Sequence, residues 1–496
     1  MTERRVDVVV VGSGFSGSIM SLLLSRIGLS VLLLDRGQHP RFAIGESSTP
    51  AADFVLADLA REYDLPRLMP LAQFGSLRSV YLELGCGLKR GFSYFQHVTG
   101  QQFAPSPDRS NELLVAASSD DVRSDSHWYR ADIDRFLVDE VRANGIEVCE
   151  NADVGVRRHE PTWKLSVRSS SANSDPGRSF NVHSDFLIDA SGSGQFLANQ
   201  LPIPNRSHQL LTRTQSVYGH FSNVTRFRSV LHAHGFTTEH HPFDCDHAAT
   251  HHLFHDGWMW VLRFENGITS AGIAKRCTDS ASKPGMEIWP DTMARFPSLK
   301  ESFENASLHT PHELVATGRM QRLAGRITGP NWAMLPSTAG FVDPLHSTGI
   351  AHSMVGIERL VSLLQKHWGQ QSLVGELKSY AVIVDAELRM IDRLVEACYA
   401  SLGQFQKFVA CAMLYFAAVS TWEIQRRRNG RSVDSGFLLA DDTEFIRQCE
   451  TVRSQIDRVE SDEQFTDFVR RAIEPWNAVG LLDPTAGNMY RHTAVR

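Results

Sequence analysis

Four groups of residues have types and spacings that suit chemistry. Gly12, Gly14 and Gly17 hold a G-x-G-x-x-G spacing in VDVVVVGSGFSGS, and Asp35 follows in VLLLDRG. Asp189 closes an apolar run in DFLIDASGSG, and Asp343 closes another in AMLPSTAGFVDPLHSTGI. Trp258 and Trp260 stand one residue apart in DGWMWVLRF, behind a glycine. The stretch 232–257 carries eight of the chain's 21 histidines, among them His240, His241, His251, His252 and His255.

The glycine spacing has a direct physical meaning. Gly12 permits a sharp turn, Gly14 lets backbone approach a pyrophosphate, and Gly17 lets helix pack on strand. Ser13, Phe15 and Ser16 complete the turn, and the helix amides that follow would face phosphates. A carboxylate at Asp35, about twenty residues beyond the turn, suits a ribose hydroxyl, and Arg36 sits beside it. The flanking sequence reads strand, turn, helix, strand, so a dinucleotide site is predicted here. Each of Asp189 and Asp343 taken alone reads as a strand-end cap. Taken in order after the glycine turn, the three segments resemble flavin oxidoreductases of the p-hydroxybenzoate hydroxylase type, which favours FAD over NAD. That resemblance also assigns Arg130, in YRADIDRFLVDEV, to a position near the cofactor.

Alternation along a strand puts both indoles of W-x-W on one face. Paired aromatics at this spacing are ordinary core, unless that face lines a passage. The histidine-rich stretch, with Asp244, Cys245, Asp246 and His247, includes spacings that suit zinc or iron. Pro242 and the aspartates suggest loop, so it is read as polar loop or strand of the substrate lobe without a metal.

The elements that must position these groups form an α/β chain. An FAD-binding Rossmann-type unit is expected from 1–80, 105–200 and 325–366. A β-rich substrate unit is expected from 81–104 and 205–324, with a hairpin at 76–100 crossing beneath it. Period-2 stretches such as GWMWVLRF and ITSAGIA support strands there. From 367 to 496 the apolar spacing turns helical, as in LVGELKSYAVIVDAELRMIDRLVEACYASL, and these helices are expected to close one side of the cavity. SSSANSD at 169–175 reads as a hairpin loop.

Bulk properties narrow the class. The 496 residues are 42% hydrophobic and 21% charged, an ordinary globular balance, and the formal charge of −6 argues against a nucleic-acid surface. The basic run Arg426–Arg427–Arg428 reads as a solvated helix end. Seven cysteines, scattered and never C-x-x-C, suit free thiols in a reducing cytoplasm. MTERR runs straight into a strand, leaving no secretory apolar segment. FVACAMLYFAAVSTW at 408–422 is shorter than a bilayer requires, so no membrane span is expected and the segment reads as a buried helix.

Four segments, spanning about residues 5–365, make the chain resemble a flavin-dependent halogenase, closest to the branch acting on phenols. HPRFAIGESSTP, with Arg41 and Ser47, is similar to the family's segment beside the flavin. CGLKRGFSYFQH is similar to the segment holding its catalytic lysine, which falls on Lys89. DGWMWVLRF is similar to the W-x-W-x-I-P signature. DPLHSTGI is similar to the turn that binds halide, here Ser347, Thr348 and Gly349, with Ile350 following against the flavin.

The resemblance implies that FAD, as FADH2 supplied by a separate reductase, converts oxygen and chloride or bromide into hypohalous acid. Lys89 would hydrogen-bond that acid or form a chloramine, then present halogen to a small electron-rich aromatic, free or carrier-bound. Trp258, Trp260 and His346 would separate substrate from flavin. Three positions depart from the pattern: Leu262 and Arg263 replace isoleucine and proline, and His346 stands where relatives carry glutamate or an aromatic. Arg90 is expected to face solvent. A flavin monooxygenase or reductase on the same scaffold is the alternative reading, and a non-catalytic FAD-binding protein is a third.

Overall fold

The computed structural model describes residues 2–158, 160–169, 179–277, 285–430 and 435–494. Most of the expected hairpin loop at 169–175 lies outside them. Two large sheets organise the chain. In the first, strands run in the order Thr328–Gly329, Trp332–Met334, Ser179–Asp189, Thr2–Val11, Val31–Leu34 and Glu147–Cys149. The four inner pairings are parallel. Strands buried on both faces need continuous apolar sequence, and Val8, Val9 and Val10 at the sheet centre are fully inaccessible. The antiparallel strands Ala152–Arg158 and Trp163–Ser169 extend this sheet from Ser179–Asp189.

The glycine turn joins the first strand to the helix Phe15–Arg26. Gly12 has φ +106°, a conformation a side chain rarely adopts, and a Cβ there would lie 2.4 Å from the Ala190 carbonyl oxygen. A Cβ on Gly17 would meet the Gly12 oxygen at 1.8 Å, so helix and turn pack at a distance only glycine allows.

The second sheet runs Ser307–Leu308, Thr214–Ser222, Ile268–Arg276, Gly257–Arg263, Ala249–Phe254, Gly91–Gln96, Glu112–Ala116 and Met489–Tyr490. Two expected assignments change here. Residues 112–116, expected with the FAD-binding unit, pair with 91–95, because ELLVA is apolar on both faces and fills a central position. Residues 489–490, expected with the helical region, return to pair with 114–115. The expected hairpin does not form either. Cys86–Lys89 pairs with Asp125–Trp128, while Gly91–Gln96 pairs with Ala249–Phe254 and Glu112–Ala116. The chain switches sheets at Arg90, whose amide donates to the His247 carbonyl across 2.7 Å.

Three long helices, Thr348–His367, Leu373–Ala400 and Phe405–Asn429, pack beside the sheets. The last is longer than the expected 408–422 segment. By length and composition it is apolar enough to cross a membrane, yet 83% of its apolar window is buried within the fold. Its end is not a plain solvated terminus: Arg426 is buried and pairs with Glu358 and Asp58, and Arg427 lies over the Phe54 ring. All seven cysteines are free thiols.

Candidate functional site

A cavity of about 1220 Å³ runs from the glycine turn to the paired tryptophans. At one end it is lined by Gly12, Gly14, Phe15, Ser16, Asp35, Arg36, Arg41 and Ser47. At the other it meets Trp258, Trp260, Asp343 and the turn Ser347, Thr348, Gly349 and Ile350. Leu388 and Ile391 of the C-terminal helices form part of its wall.

The nucleotide end is preorganised. Helix Phe15–Arg26 starts at Gly14 without a side-chain cap. Asp134 takes up the Phe15 amide at 3.1 Å, and Arg130 donates to both Asp134 oxygens at 2.9 and 2.7 Å. The Arg130 guanidinium also holds the Ile44 and Gly45 carbonyls and lies over the Phe15 ring. The turn thus exposes bare backbone, and added β-carbons at Gly12 and Gly17 would close it. That cradle fits a pyrophosphate.

Asp35 is already engaged more fully than a simple ribose acceptor. It receives the Ser13 amide and hydroxyl at 2.6 and 2.8 Å, the Gly37 amide at 2.8 Å, and both Arg41 guanidinium nitrogens at 2.5 and 2.8 Å. Burial pushes this carboxyl up, but Arg41 and the amides outweigh it and bring its pKa down to about 2. A ribose hydroxyl would have to displace Arg41.

Some expected residues stand outside the cavity. Ser13 and Gly17 support the turn from behind. Asp189 is buried and accepts from the Ser191 amide and hydroxyl and the Leu197 amide, so it caps the turn at 190–197 and faces no cofactor space. His346 is also withdrawn from the wall: it stacks on Tyr415 at 4.4 Å with rings nearly parallel. Burial pulls its pKa down to about 3, so it is neutral, and it does not stand in the cavity wall as the expected barrier residue.

Trp258 and Trp260 line the cavity together, while Met259 and Val261 turn to a separate core. The alternation carries over to the departures from the family pattern. Leu262 lines the cavity; Arg263 points away and binds Asp246 and the Val224 and Thr225 carbonyls. Replacing proline by arginine therefore adds a clamp on the outer face and leaves the cavity wall apolar.

Lys89 is wholly buried and is not part of the cavity lining. Its ammonium donates to the Ser48 carbonyl and lies 4.3 Å over the Phe92 ring. Burial lowers its pKa to about 8, against the opposing pull of Asp125 and Asp53. Ser47, the neighbour of Ser48, lines the cavity, and so does His251. His251 is sandwiched between Tyr94 at 4.5 Å and Trp258 at 5.0 Å. Close packing seats this strand: a Cβ on Gly87 would lie 1.8 Å from the Arg263 carbonyl oxygen. Arg90 is mostly buried, contrary to expectation, paired with Asp121 and bonded to the Ser118 and Ser119 carbonyls.

The turn before Thr348–His367 is strained. Ser347 sits at φ 52°, a left-handed conformation costing about 1–2 kcal/mol in a residue with a Cβ. No side chain caps this helix, so its first amides are directed at the cavity end where Gly349 is exposed. Asp343 accepts from Tyr399 at 2.9 Å and Thr214 at 3.0 Å, yet burial holds its pKa up to about 7.

Sequence reading missed four members of this site, Glu46, bonded to His220 at 2.7 Å, Asp134, Thr214 and Tyr399, and it left His251 in the histidine-rich stretch without a place at the cavity. Two carried a signal. Asp134 is four residues beyond Arg130 on one helix, and His251 is the register partner of Trp260. Thr214 and Tyr399 come from distant segments and carried none.

A glycine-turn parallel sheet joined to a second sheet across one long cavity defines a flavoprotein of the FAD-binding Rossmann type. The first region matches the NAD(P)-binding Rossmann-like domain over residues 10–60, and the tryptophan halogenase family matches residues 118–402. The chain belongs to the tryptophan halogenase family and is a flavin-dependent halogenase with FAD as cofactor. Monodechloroaminopyrrolnitrin halogenase PrnC of Pseudomonas fluorescens is 25% identical, covering 94% of this chain and 83% of its own. Tetracycline 7-halogenase of Kitasatospora aureofaciens is 26% identical, covering 81% and 71%. The fold is shared with halogenase PltM, crystallised with phloroglucinol and FAD, at a TM-score of 0.83, 20% identity, and coverage of 99% of this chain and 100% of that one.

Proposed function

We propose that this halogenase transfers halogen to a small phenolic aromatic through Lys89, with the oxidant kept inside the protein throughout. The observation that carries this is the wholly buried amine of Lys89, lying behind Ser47–Ser48 and across an aromatic wall from the cavity. When bound and reduced by a separate flavin reductase, the flavin would supply the chemistry that turns oxygen and halide into hypohalous acid. The remaining steps belong to side chains of this chain.

Gly12, Gly14, Phe15 and Ser16 would receive the pyrophosphate on bare backbone, with Arg130 fixing the turn beneath. Arg36 and Arg41 would flank the nucleotide. The amides opening the helix at Thr348, Gly349 and Ile350, after Ser347, would hold the halide, since an uncapped helix start is a natural anion seat. Trp258 and Trp260 would keep an aromatic substrate from direct contact with the flavin. Hypohalous acid that reaches bulk water escapes and attacks other side chains, so a sealed route is worth its cost in buried groups.

A lysine titrating near 8 has an appreciable neutral fraction at neutral pH, which an ordinary surface lysine lacks. The neutral amine can take electrophilic halogen on Nζ as the oxygen–halogen bond of the acid breaks and hydroxide leaves as water with an amine proton; the protonated amine can instead donate a hydrogen bond to the acid. Either mode presents halogen from one fixed point, so ring position is set by how the substrate lies against Lys89.

The test is incubation with a flavin reductase, FAD, oxygen, chloride or bromide, and panels of phenols, indoles and pyrroles. A halogenated phenol should form and vanish in Lys89→Met while FAD retention is unchanged. Oxygenated product indifferent to halide would instead favour the monooxygenase reading, and unchanged turnover in Lys89→Met would remove the role of the amine.

A further inference from the structure

The second sheet carries a separate concentration of metal-binding side chains, outside the flavin cavity. Glu112 opens the strand Glu112–Ala116 with its side chain wholly buried. Among the described residues, only two side chains reach its carboxylate. His241 Nε2 lies 2.9 Å from Oε1, and His240 Nε2 lies 3.4 Å from each oxygen. The three candidate ligand atoms all fall within 4.8 Å of one another.

Two physical arguments favour a cation at their meeting point. The first is charge. A buried carboxylate needs a compensating partner, and a cation held between Glu112 and the two imidazoles would supply one. No lysine or arginine pairs with Glu112 among the described residues. The second is geometry. Tetrahedral zinc with bonds of about 2.0–2.2 Å sets neighbouring ligand atoms about 3.3–3.6 Å apart. The His240 separation of 3.4 Å already fits, and the His241 separation of 2.9 Å would have to open by about 0.5 Å to admit an ion.

A neighbouring histidine-rich loop group shows the contrast. Asp244, Cys245 and Asp246 are also close together, but their oxygens are taken: Asp246 by Arg263 and two backbone amides, Asp244 by Arg226 and Arg228. Burial also pushes the Cys245 thiol well up, away from the thiolate a metal requires.

We propose that Glu112, His240 and His241 bind one divalent transition-metal ion, zinc by preference. Nitrogen and oxygen donors in a three-ligand set suit zinc, with a fourth position left open. His240 also lines a cavity of about 340 Å³, together with Arg109, Met489 and Arg491. The two arginines would select an anion or hydroxide as the fourth ligand. Bound there, the ion would fasten the loop before Ala249–Phe254 to the sheet where the C-terminal strand Met489–Tyr490 docks.

Tag-free full-length protein, dialysed against chelator and loaded with zinc chloride, tests this by elemental analysis after gel filtration and by thermal unfolding. One retained equivalent of zinc and a raised Tm are expected, with cobalt(II) giving ligand-field bands of low coordination number. His240→Ala, at a partly exposed position, should weaken retention at least tenfold; Glu112→Gln, which keeps the shape but removes the charge, should do the same. Cys245→Ser should change nothing. Absence of stoichiometric zinc in the wild type overturns the proposal. So does full retention in a folded His240→Ala or Glu112→Gln, or a loss of zinc in Cys245→Ser.

Discussion

The indole Nε1 of Trp258 donates to the hydroxyl of Tyr399 across 2.7 Å, and that hydroxyl donates onward to Asp343 at 2.9 Å. One ring of the W-x-W pair is therefore held by a residue 141 positions away in a C-terminal helix. Asp343, at the other end, closes the strand-end turn leading to Ser347.

Tyr399→Phe should break this chain and leave a buried indole N–H without an acceptor. The expected cost is about 1–3 kcal/mol. A lowered chemical-denaturation midpoint with unchanged m-value, and a shifted Trp emission, would register it. An unshifted midpoint would show that the ring is held by packing alone.

Lys89 should titrate near pH 8, below an ordinary lysine, because burial disfavours its charged form. In the unfolded chain it keeps its proton to about pH 10.4. The unfolded state thus binds more protons between these values, and stability should rise over that window from this residue. An Nζ resonance followed by NMR gives the value directly, and Lys89→Met should flatten this part of the stability profile. A midpoint above 10 would mean that water reaches the amine.

Acid should unfold the protein early. Burial lowers His97, His127 and His346 to about 3 and His251 to about 4. Their stabilising contribution is complete above about pH 6.5, where the unfolded chain is neutral too, and is lost as pH falls toward the folded values. By pH 5 each contributes a loss of about 2 kcal/mol. Circular dichroism between pH 7 and 4.5 should therefore show a steep transition, and a flat profile to pH 4.5 would contradict it.

Removing Arg426 should be costly despite its place in a basic run. Its guanidinium meets both oxygens of the buried Glu358 at 2.9 and 2.7 Å, and Asp58 at 2.7 Å. Arg426→Ala removes a guanidinium that compensates a buried carboxylate, at about 3–5 kcal/mol. Arg427→Ala, at an exposed neighbour over Phe54, should cost under about 1 kcal/mol. Equal Tm losses in the two variants would return Arg426 to the solvated helix end read from sequence.

Local pattern made much of this protein legible. The glycine turn is dictated by backbone sterics within six residues, so spacing alone identified it. Alternation placed Trp258 and Trp260 on one face, and that face does line the cavity. The same alternation turns Arg263 outward, which reading the motif letter by letter had obscured.

What spacing could not reach was contact between distant segments. Burial of Lys89 depends on Ser48, Phe92 and Asp125 meeting around it, and one lysine in a chain resembles any other. Neutral His346, the withdrawn Asp189, the sheet switch at Arg90 and the convergence of Glu112 on His240 and His241 likewise arise from pairings over long separations. Backbone geometry and hydrophobic period act over a few residues, so the chain itself carried the nucleotide turn and the facing of its strands. Desolvation and charge compensation are properties of an enclosed volume, and only the packed structure decides which side chains share one.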